Sequence, residues 1–389
     1  MGTLTLTSLI PTIYEAMDMV SRERVGLISA VSQDFSAEQA AVGQVIMSPV
    51  VGAMASENLT AGAYAADTPN QTIGNVQMTI SKAKSVPFGI TGEETKGLQS
   101  AGTLGNINRD RIAQAFRTLS NEIETDLYEE VYKSASRSYG TAATTPFGTA
   151  NDLSDFAGAR EILDENGAPD MDLHLALGSS AIRNLRGKQS VLFKMNEAGT
   201  DDLLRRGILG DVEGFSIHQS AAIKTPVTAG TAASATTDNA GYAVGATVIT
   251  LASAGTGTVL AGDFVIFAGD TRKYSVVSGD ADVSNGGTIT LAEPGLMQAI
   301  PASATAITMV ATATRNIILQ RSAVQLATRA PAMPEGGDAA DDVITITDPV
   351  SQITYEFAMY KQKRQVRYEV NLAWGKKIIT PRHTGILLG

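Results

Sequence analysis

The chain contains no cysteine. Disulfide frameworks, thiolate metal sites and cysteine nucleophiles are therefore excluded. Aromatic residues are scarce, at 5% of 389, whereas glycine, alanine and threonine are heavily used. That composition suits flat β-structure and close backbone packing better than a deep pocket lined with rings. Histidine is limited to His174, His218 and His383, which are widely separated and in no ligand-like spacing. No apolar run approaches the ~18 residues that a membrane span needs. Lysine and arginine are missing from all 57 positions between 25 and 81. The formal charge is −10 and the pI is near 4.9. Tight gripping of nucleic acid requires a net basic face, so any DNA contact should be loose.

The opening, MGTLTLTSLIPTIYEAMDMVSRER, lacks the basic n-region of a secretory signal. Leu6 stands where myristoylation needs Ser or Thr. A soluble protein made in the cytoplasm, with no membrane partner, is expected. The length allows two or three domains.

Residues 9–24 read as a short amphipathic helix, with Ile13, Met17 and Val20 on one face and Glu15 and Asp18 on the other. Pro11 suits its first turn. Residues 43–51 read as a strand and 52–71 as a loop of small residues. Val76, Met78 and Ile80 then alternate with Gln77, Thr79 and Ser81, the period of a half-buried strand. Together these predict an extended β-hairpin. The strongest helix signal is 108–133, where Ile112, Phe116, Leu119, Ile123, Leu127 and Val131 form a continuous stripe. Asn106 or Asn108 can cap it. Its charges run against the helix dipole: Arg109, Arg111 and Arg117 come first, then Glu122, Glu124, Asp126, Glu129 and Glu130. Such a stripe is either a solvated face or a contact with neighbouring subunits.

A Gly/Thr/Ala-rich loop at 140–152 precedes an α/β alternation: helix 154–166, strand 173–177, helix 179–187 and, after a Gly-punctuated stretch, strand 215–219. Residues 225–241 read as a low-complexity linker. From 242 to 310 the chain is β in character, with strands near 247–251, 264–267, 273–278, 287–291 and 305–310 between Gly-containing turns. Residues 341–350 and 352–371 are again strand material. The class expected is α+β, interrupted by a compact all-β insert.

Catalytic motifs are missing. Gly187-Lys188 resembles the end of a P-loop, but Gln189 follows and Ile182 stands at the first glycine position. Gly178-Ser179-Ser180 lacks the second glycine of a nucleophile elbow. Asp280 and Asp282 imitate the start of a calcium loop, yet Asn285 and Leu291 occupy its glycine and bidentate positions, so an acidic hairpin tip is the better reading. His174 and His218 read as ordinary strand residues. Basic residues cluster once, at Lys361, Lys363, Arg364, Arg367, Lys376, Lys377 and Arg382. That cluster is a polar sheet face, a subunit contact or a loose DNA-facing surface. No cofactor, no metal and no enzymatic activity are expected.

The order of elements resembles the HK97-like fold of tailed-bacteriophage major capsid proteins: short N-terminal helix, long hairpin, long spine helix, α/β domain. The segment 206–220, RGILGDVEGFSIHQS, looks like that family's Gly-rich turn followed by a Gly-Phe-x-Ile/Val-x-x-Ser strand. LAGDFVI at 260–266, YSVV at 274–277 and TITLAEPGL at 288–296 resemble the extra β-barrel of certain short-tailed phage coat proteins. The resemblance implies an N-terminal arm at 1–35, an E-loop hairpin at 36–90 and a P-domain with the spine helix at 91–153. It implies a first part of an A-domain at 154–227, an inserted β-barrel at 228–312 and completion of the A- and P-domains at 313–389. It further implies hexamers and pentamers of one chain in an icosahedral head around double-stranded DNA, assembled in the host cytoplasm. Implied partners are a scaffolding protein, a portal protein and a decoration protein.

Some members of the family join neighbours through a Lys–Asn isopeptide bond begun on the E-loop. Here the first lysine after Arg24 is Lys82, beyond the loop, so a non-covalent shell is expected. The candidate assembly residues are Glu15, Asp18, Leu59, Tyr64, Arg109, Arg111, Glu122, Asp280 and Asp282. A nanocompartment shell enclosing cargo enzymes is the alternative within the same fold. A hydrolase with an accessory β-domain and a tail or adhesin protein are the alternatives outside it.

Overall fold

In the computed structural model, residues 9–21, 26–51, 73–100, 104–189, 210–349 and 351–389 are described. The longest apolar stripe makes the longest helix. Following α1 (Ile10–Ser21), α2 (Gly26–Ala30), β1 (Ser32–Ala40), β2 (Val45–Val51), β3 (Ile73–Thr91) and α3 (Gly92–Ser100), helix α4 runs from Leu104 to Ser134. At 1.5 Å per residue it is about 46 Å long. All six stripe residues are buried. It starts earlier than its pattern predicts, so Asn106 and Asn108 lie inside it and cap nothing. Ile13, Ala16, Met17 and Val20 of α1 pack against α4 in one core.

The chain continues as β4 (Arg137–Tyr139), α5 (Ser154–Glu165), β5 (Leu173–Leu177), α6 (Ser179–Lys188), β6 (Asp211–Val212), β7 (Phe215–Gln219), β8 (Val248–Leu251), β9 (Phe264–Phe267), β10 (Lys273–Ser278), β11 (Gly287–Leu291) and β12 (Ile307–Met309). It closes with β13 (Arg315–Gln320), β14 (Val324–Pro331), β15 (Asp342–Thr347), β16 (Thr354–Gln362), β17 (Gln365–Ile378) and β18 (Thr384–Leu388). The fold is mixed α+β, as expected.

Two sheets organise it. The first orders β1-β14-β17-β16-β15, with β3 against β17 and β2 against β3. Its apolar face covers α4 through Tyr355, Phe357, Tyr368, Val370, Leu372 and Trp374. The second orders β12-β9-β10-β4-β18-β13-β5-β7-β6, with β11 and β8 attached through β10. Helices α5 and α6 share a core with it, built on Phe156, Leu163, Ile182 and Leu185.

β2 and β3 form the predicted antiparallel hairpin arm, Val45 opposite Thr79 through Val51 opposite Ile73. β3 carries Pro87 and β2 carries Pro49. Proline is tolerated on edge strands, where its missing N–H faces away from the ladder. Register between β3 and β17 skips at Trp374/Gly375. A Cβ on Gly375 would lie 2.5 Å from the Thr79 carbonyl oxygen, so glycine is what lets the arm cross here.

Residues 235–307 contribute a separate core, including Ile249, Leu251, Val265, Phe267, Val276, Ile289 and Leu291. The linker reading of 225–241 is corrected. This stretch bridges Val227 to Ala313, Ala233 to Thr256, Thr236 to Ala306 and Thr237 to Leu251, and Thr237 is fully buried. Alanine and threonine carry no periodic signal, yet their small side chains let the strand edges close over them. The β-rich segment is also fastened to the body. Tyr274 of β10 lies opposite Arg137 of β4, Arg272 pairs with Glu165 at 3.2 Å, and Arg315 of β13 lies 3.7 Å from Asp263.

Candidate functional site

Three features on and around α4 concentrate the polar chemistry of the molecule. The first is a buried carboxylate. Glu124 is 1% exposed. It accepts the Leu27 N–H at 2.8 Å on Oε1 and the Ile28 N–H at 3.2 Å on Oε2. The Ser220 hydroxyl donates to the same Oε1 at 2.7 Å. Glu124 therefore satisfies the open amides at the start of α2, the position where a helix favours negative charge. Burial pushes its carboxyl up, while the hydrogen bonds from Ser220, Leu27, Ile28 and Gly26 pull it back. Gly26 is required for the approach, since a Cβ there would lie 2.6 Å from the Gln219 carbonyl oxygen. Ser220 is the last residue of the Gly-Phe-x-Ile-x-x-Ser segment. One carboxylate thus joins the N-terminal segment, the long helix and the α/β domain.

The second feature is the face of α4 toward the first sheet. Asp126 accepts from Lys82 Nζ at 2.7 Å and from the Trp374 indole N–H at 3.0 Å. Lys376 donates to its backbone carbonyl at 2.5 Å and lies 3.9 Å from its carboxylate. Burial lowers the Lys376 ammonium pKa, and Asp126 opposes that shift. Glu122 pairs with Lys84 at 2.9 Å.

The third is a histidine pair. Sequence separation hides it, but β5 and β7 are parallel neighbours, with His174 opposite Ser216 and Ala176 opposite His218. His174 Nδ1 lies 2.9 Å from His218 Nε2, and His218 Nδ1 lies 3.3 Å from the Ser29 hydroxyl of α2. Burial, the His218 charge and Arg321 lower the His174 pKa to about 4. Burial and Arg321 also lower His218. Asp172 and Asp211 act in the opposite direction on His174. Among the described residues, no group of three or more His, Asp or Glu could hold a metal.

The remaining sequence candidates fall as follows. Glu15 pairs with Arg109 at 3.1 Å, and Arg111 donates to the Gly89 carbonyl at 3.1 Å. Asp18 is exposed on α1. Leu59 and Tyr64 lie outside the described residues, as does 206–209 of the resembling segment. Asp280 accepts the Asp282 N–H, and Asp282 accepts from Ser284 and Asn285, a self-contained turn. Of the basic cluster, Lys361 pairs with Asp341, Arg367 with Glu369 and Lys376 with Asp126. Glu124 and the histidine pair were not singled out by sequence reasoning. For Glu124 a signal existed: it belongs to the acidic run yet sits one residue after the stripe position Ile123, at the edge of the apolar face.

The arm presents two different faces. Met78 and Ile80 are buried beside Ala40, Ala327 and Ala373, as the alternation predicts. The opposite face shows Val45 at 41% and Met47 at 60% exposure, with Val42 at 59% just before it.

No family model matches the chain, and no curated protein matches it. Solved structures align with it over most of their length. A structure from Mycobacterium phage Che8 is 13% identical, covering 89% of this chain and 84% of that one, with a TM-score of 0.48. The capsid of a native GTA particle is 8% identical, covering 94% and 90%, with a TM-score of 0.46. The capsid of cyanophage P-SCSP1u is 11% identical, covering 93% and 87%, with a TM-score of 0.44.

Proposed function

We infer that this chain is the major capsid protein of a tailed bacteriophage, a structural subunit that assembles with copies of itself into an icosahedral head. The observation that carries the reading is the β2–β3 arm. A two-stranded ribbon is marginally stable on its own. Here one face packs on the body while Val42, Val45 and Met47 stand in solvent. Exposed strand edges with apolar side chains call for a covering surface, and a neighbouring subunit supplies one. The segment resemblance to phage capsid proteins points the same way. So does Lys82: its ammonium is engaged by Asp126, which suits a shell held without covalent joins.

On this reading residues 228–312 are an inserted β unit and 36–90 an E-loop hairpin. The partners are hexamer and pentamer neighbours, a scaffolding protein, a portal, a decoration protein and loosely held double-stranded DNA. The role is non-enzymatic. Negative-stain electron microscopy of the chain expressed with its scaffold tests it. Closed shells or aberrant polyheads are expected, and a monodisperse monomer at high concentration overturns the reading. The nucleic acid content of particles from infected cells separates a phage head from a cargo compartment.

A further inference from the structure

The loop between β4 and α5 is held in an unusual backbone. Ala143, Phe147 and Asn151 all have positive φ, at 62°, 58° and 57°. Non-glycine residues in this region carry a steric cost and persist only where the surroundings over-determine them. The surroundings do so here. Phe147 is 1% exposed and lies 4.5 Å from the Phe156 ring centre. Its N–H donates to Asp155 at 2.6 Å. Fully buried Gln189 donates to the Thr149 carbonyl at 2.7 Å and accepts the Asp152 N–H at 3.1 Å. Asn184 donates to the Pro146 carbonyl at 3.1 Å.

This rigid loop walls a cleft of about 800 Å³, within the size range of small-ligand sites. The lining is polar. It includes the hydroxyls of Thr144, Thr145 and Ser154 and the cationic side chains of Arg183, Lys188 and Lys273. Among the described residues, Lys188 donates to the Gly148 carbonyl and Lys273 to the Gly140 carbonyl. Among the described residues none of the three cations forms an ion pair. Two carboxylates also line the cleft, but both are turned to backbone amides: Asp152 to Ser154 and Asp155 to Phe147. Burial lowers the Lys273 pKa, and no acid raises it. A half-buried ammonium without a counter-ion, beside a guanidinium, a second ammonium and several hydroxyls, is the donor set that phosphate oxygens accept from. Tyr139 is the one aromatic residue in the lining, so the cleft is suited to a phosphate chain more than to stacked bases.

We propose that this cleft is a binding site for a phosphate-bearing ligand, held by Arg183, Lys188 and Lys273 against the rigid 140–152 loop. The source is either a free polyphosphate or a nucleic acid backbone. Isothermal titration of the full chain with sodium tripolyphosphate, with a 12-nucleotide single-stranded DNA, and with sulfate at matched ionic strength tests it. At least one phosphate probe should bind more tightly than sulfate, and Arg183→Met with Lys273→Met should weaken that probe tenfold or more. Binding of tripolyphosphate alone identifies a free phosphate; binding of the oligonucleotide identifies a backbone. If neither probe outbinds sulfate, or the double variant binds as well as the parent, the site is refuted. Arg183→Met alone, on the exposed side of α6, keeps the test valid should the double variant misfold; it should weaken the probe at least threefold, and unchanged affinity refutes the site.

Discussion

Replacing Glu124 by alanine should detach α2 without dismantling α4. The variant leaves Leu27 N–H, Ile28 N–H and the Ser220 hydroxyl without the acceptor they share. All three residues are at most 2% exposed. Each orphaned buried donor costs about 1–3 kcal/mol. They are neighbours, so the costs do not simply add, and a loss of about 3–5 kcal/mol is expected. Glu124→Gln keeps one acceptor oxygen but sets an amide against the Ile28 N–H, for a smaller loss of about 1–2 kcal/mol. The comparison is Glu129→Ala, which removes only an exposed pair with Lys133, for less than about 0.5 kcal/mol. Urea unfolding of unassembled subunits gives the order of the three variants. Hydrogen exchange at residues 26–30 gives the location: the amides of Leu27 and Ile28 should exchange much faster in Glu124→Ala. If exchange there is unchanged and Glu124→Ala unfolds at the same urea concentration as Glu129→Ala, the clamp does not exist.

Asp126→Ala should cost about 3 kcal/mol, because Lys82 and the Trp374 indole lose their acceptor and Lys376 loses a nearby counter-charge while keeping the backbone carbonyl; Trp374 is the sole tryptophan, so its emission reports the change directly, and an unshifted spectrum would count against the contact. Unfolding stability should fall as pH drops from 6.5 toward 4, because the unfolded chain takes up protons near 6.5 while folded His174 resists until about 4. The full shift corresponds to about 3 kcal/mol, which solvent screening around the pair reduces to about 1–2 kcal/mol; His174→Phe should flatten that slope, and an equally steep profile would contradict the assignment. A double-mutant cycle on Glu15 and Arg109, exposed partners 3.1 Å apart, should give a coupling below about 1 kcal/mol, while reversing Glu15 and Asp18 together should weaken binding of a basic scaffold domain with the circular dichroism spectrum intact. Chymotrypsin should cut free subunits at Leu59 or Tyr64 faster than assembled shells, and equal rates would remove the loop from the intersubunit contact.

Much of the fold is legible because period and burial agree. The stripe from Ile112 to Val131 is a helix in any context that covers one side. The alternation at 76–80 survives because Met78 and Ile80 are covered and Gln77 and Thr79 are not. Strands 173–177 and 215–219 appear where predicted, since Leu173, Leu175 and Leu177 and then Phe215 and Ile217 recur at every second position between turns. What stays hidden depends on partners distant in sequence. The acceptor role of Glu124 needs amides 96 and 97 residues away. The histidine pair is separated by 44 residues and meets only because β5 and β7 run parallel. The full length of β17 was missed beyond Asn371, since its end is defined by pairing with β14 rather than by its own composition.

The charge order of α4 illustrates what such partners change. Acids in the second half of a helix work against its dipole by tenths of a kcal/mol each. In this molecule the compensating cations come from the adjacent layer: Lys84 meets Glu122, and Lys82 and Lys376 meet Asp126. Glu124 turns the other way and caps α2. Glu122, Glu124 and Asp126 are thus an internal fastening between the helix, the sheet and the N-terminal segment, held where partial burial strengthens each contact. Charges committed within the subunit are poor candidates for joining it to another, because an intersubunit bond would first have to break an intrasubunit one. The apolar face of the arm carries no such commitment. If subunits associate through it, the contact gains by removing Val45 and Met47 from water, at about 25 cal/mol per Å² of apolar surface. It would then tolerate salt that screens exposed ion pairs such as Glu15–Arg109.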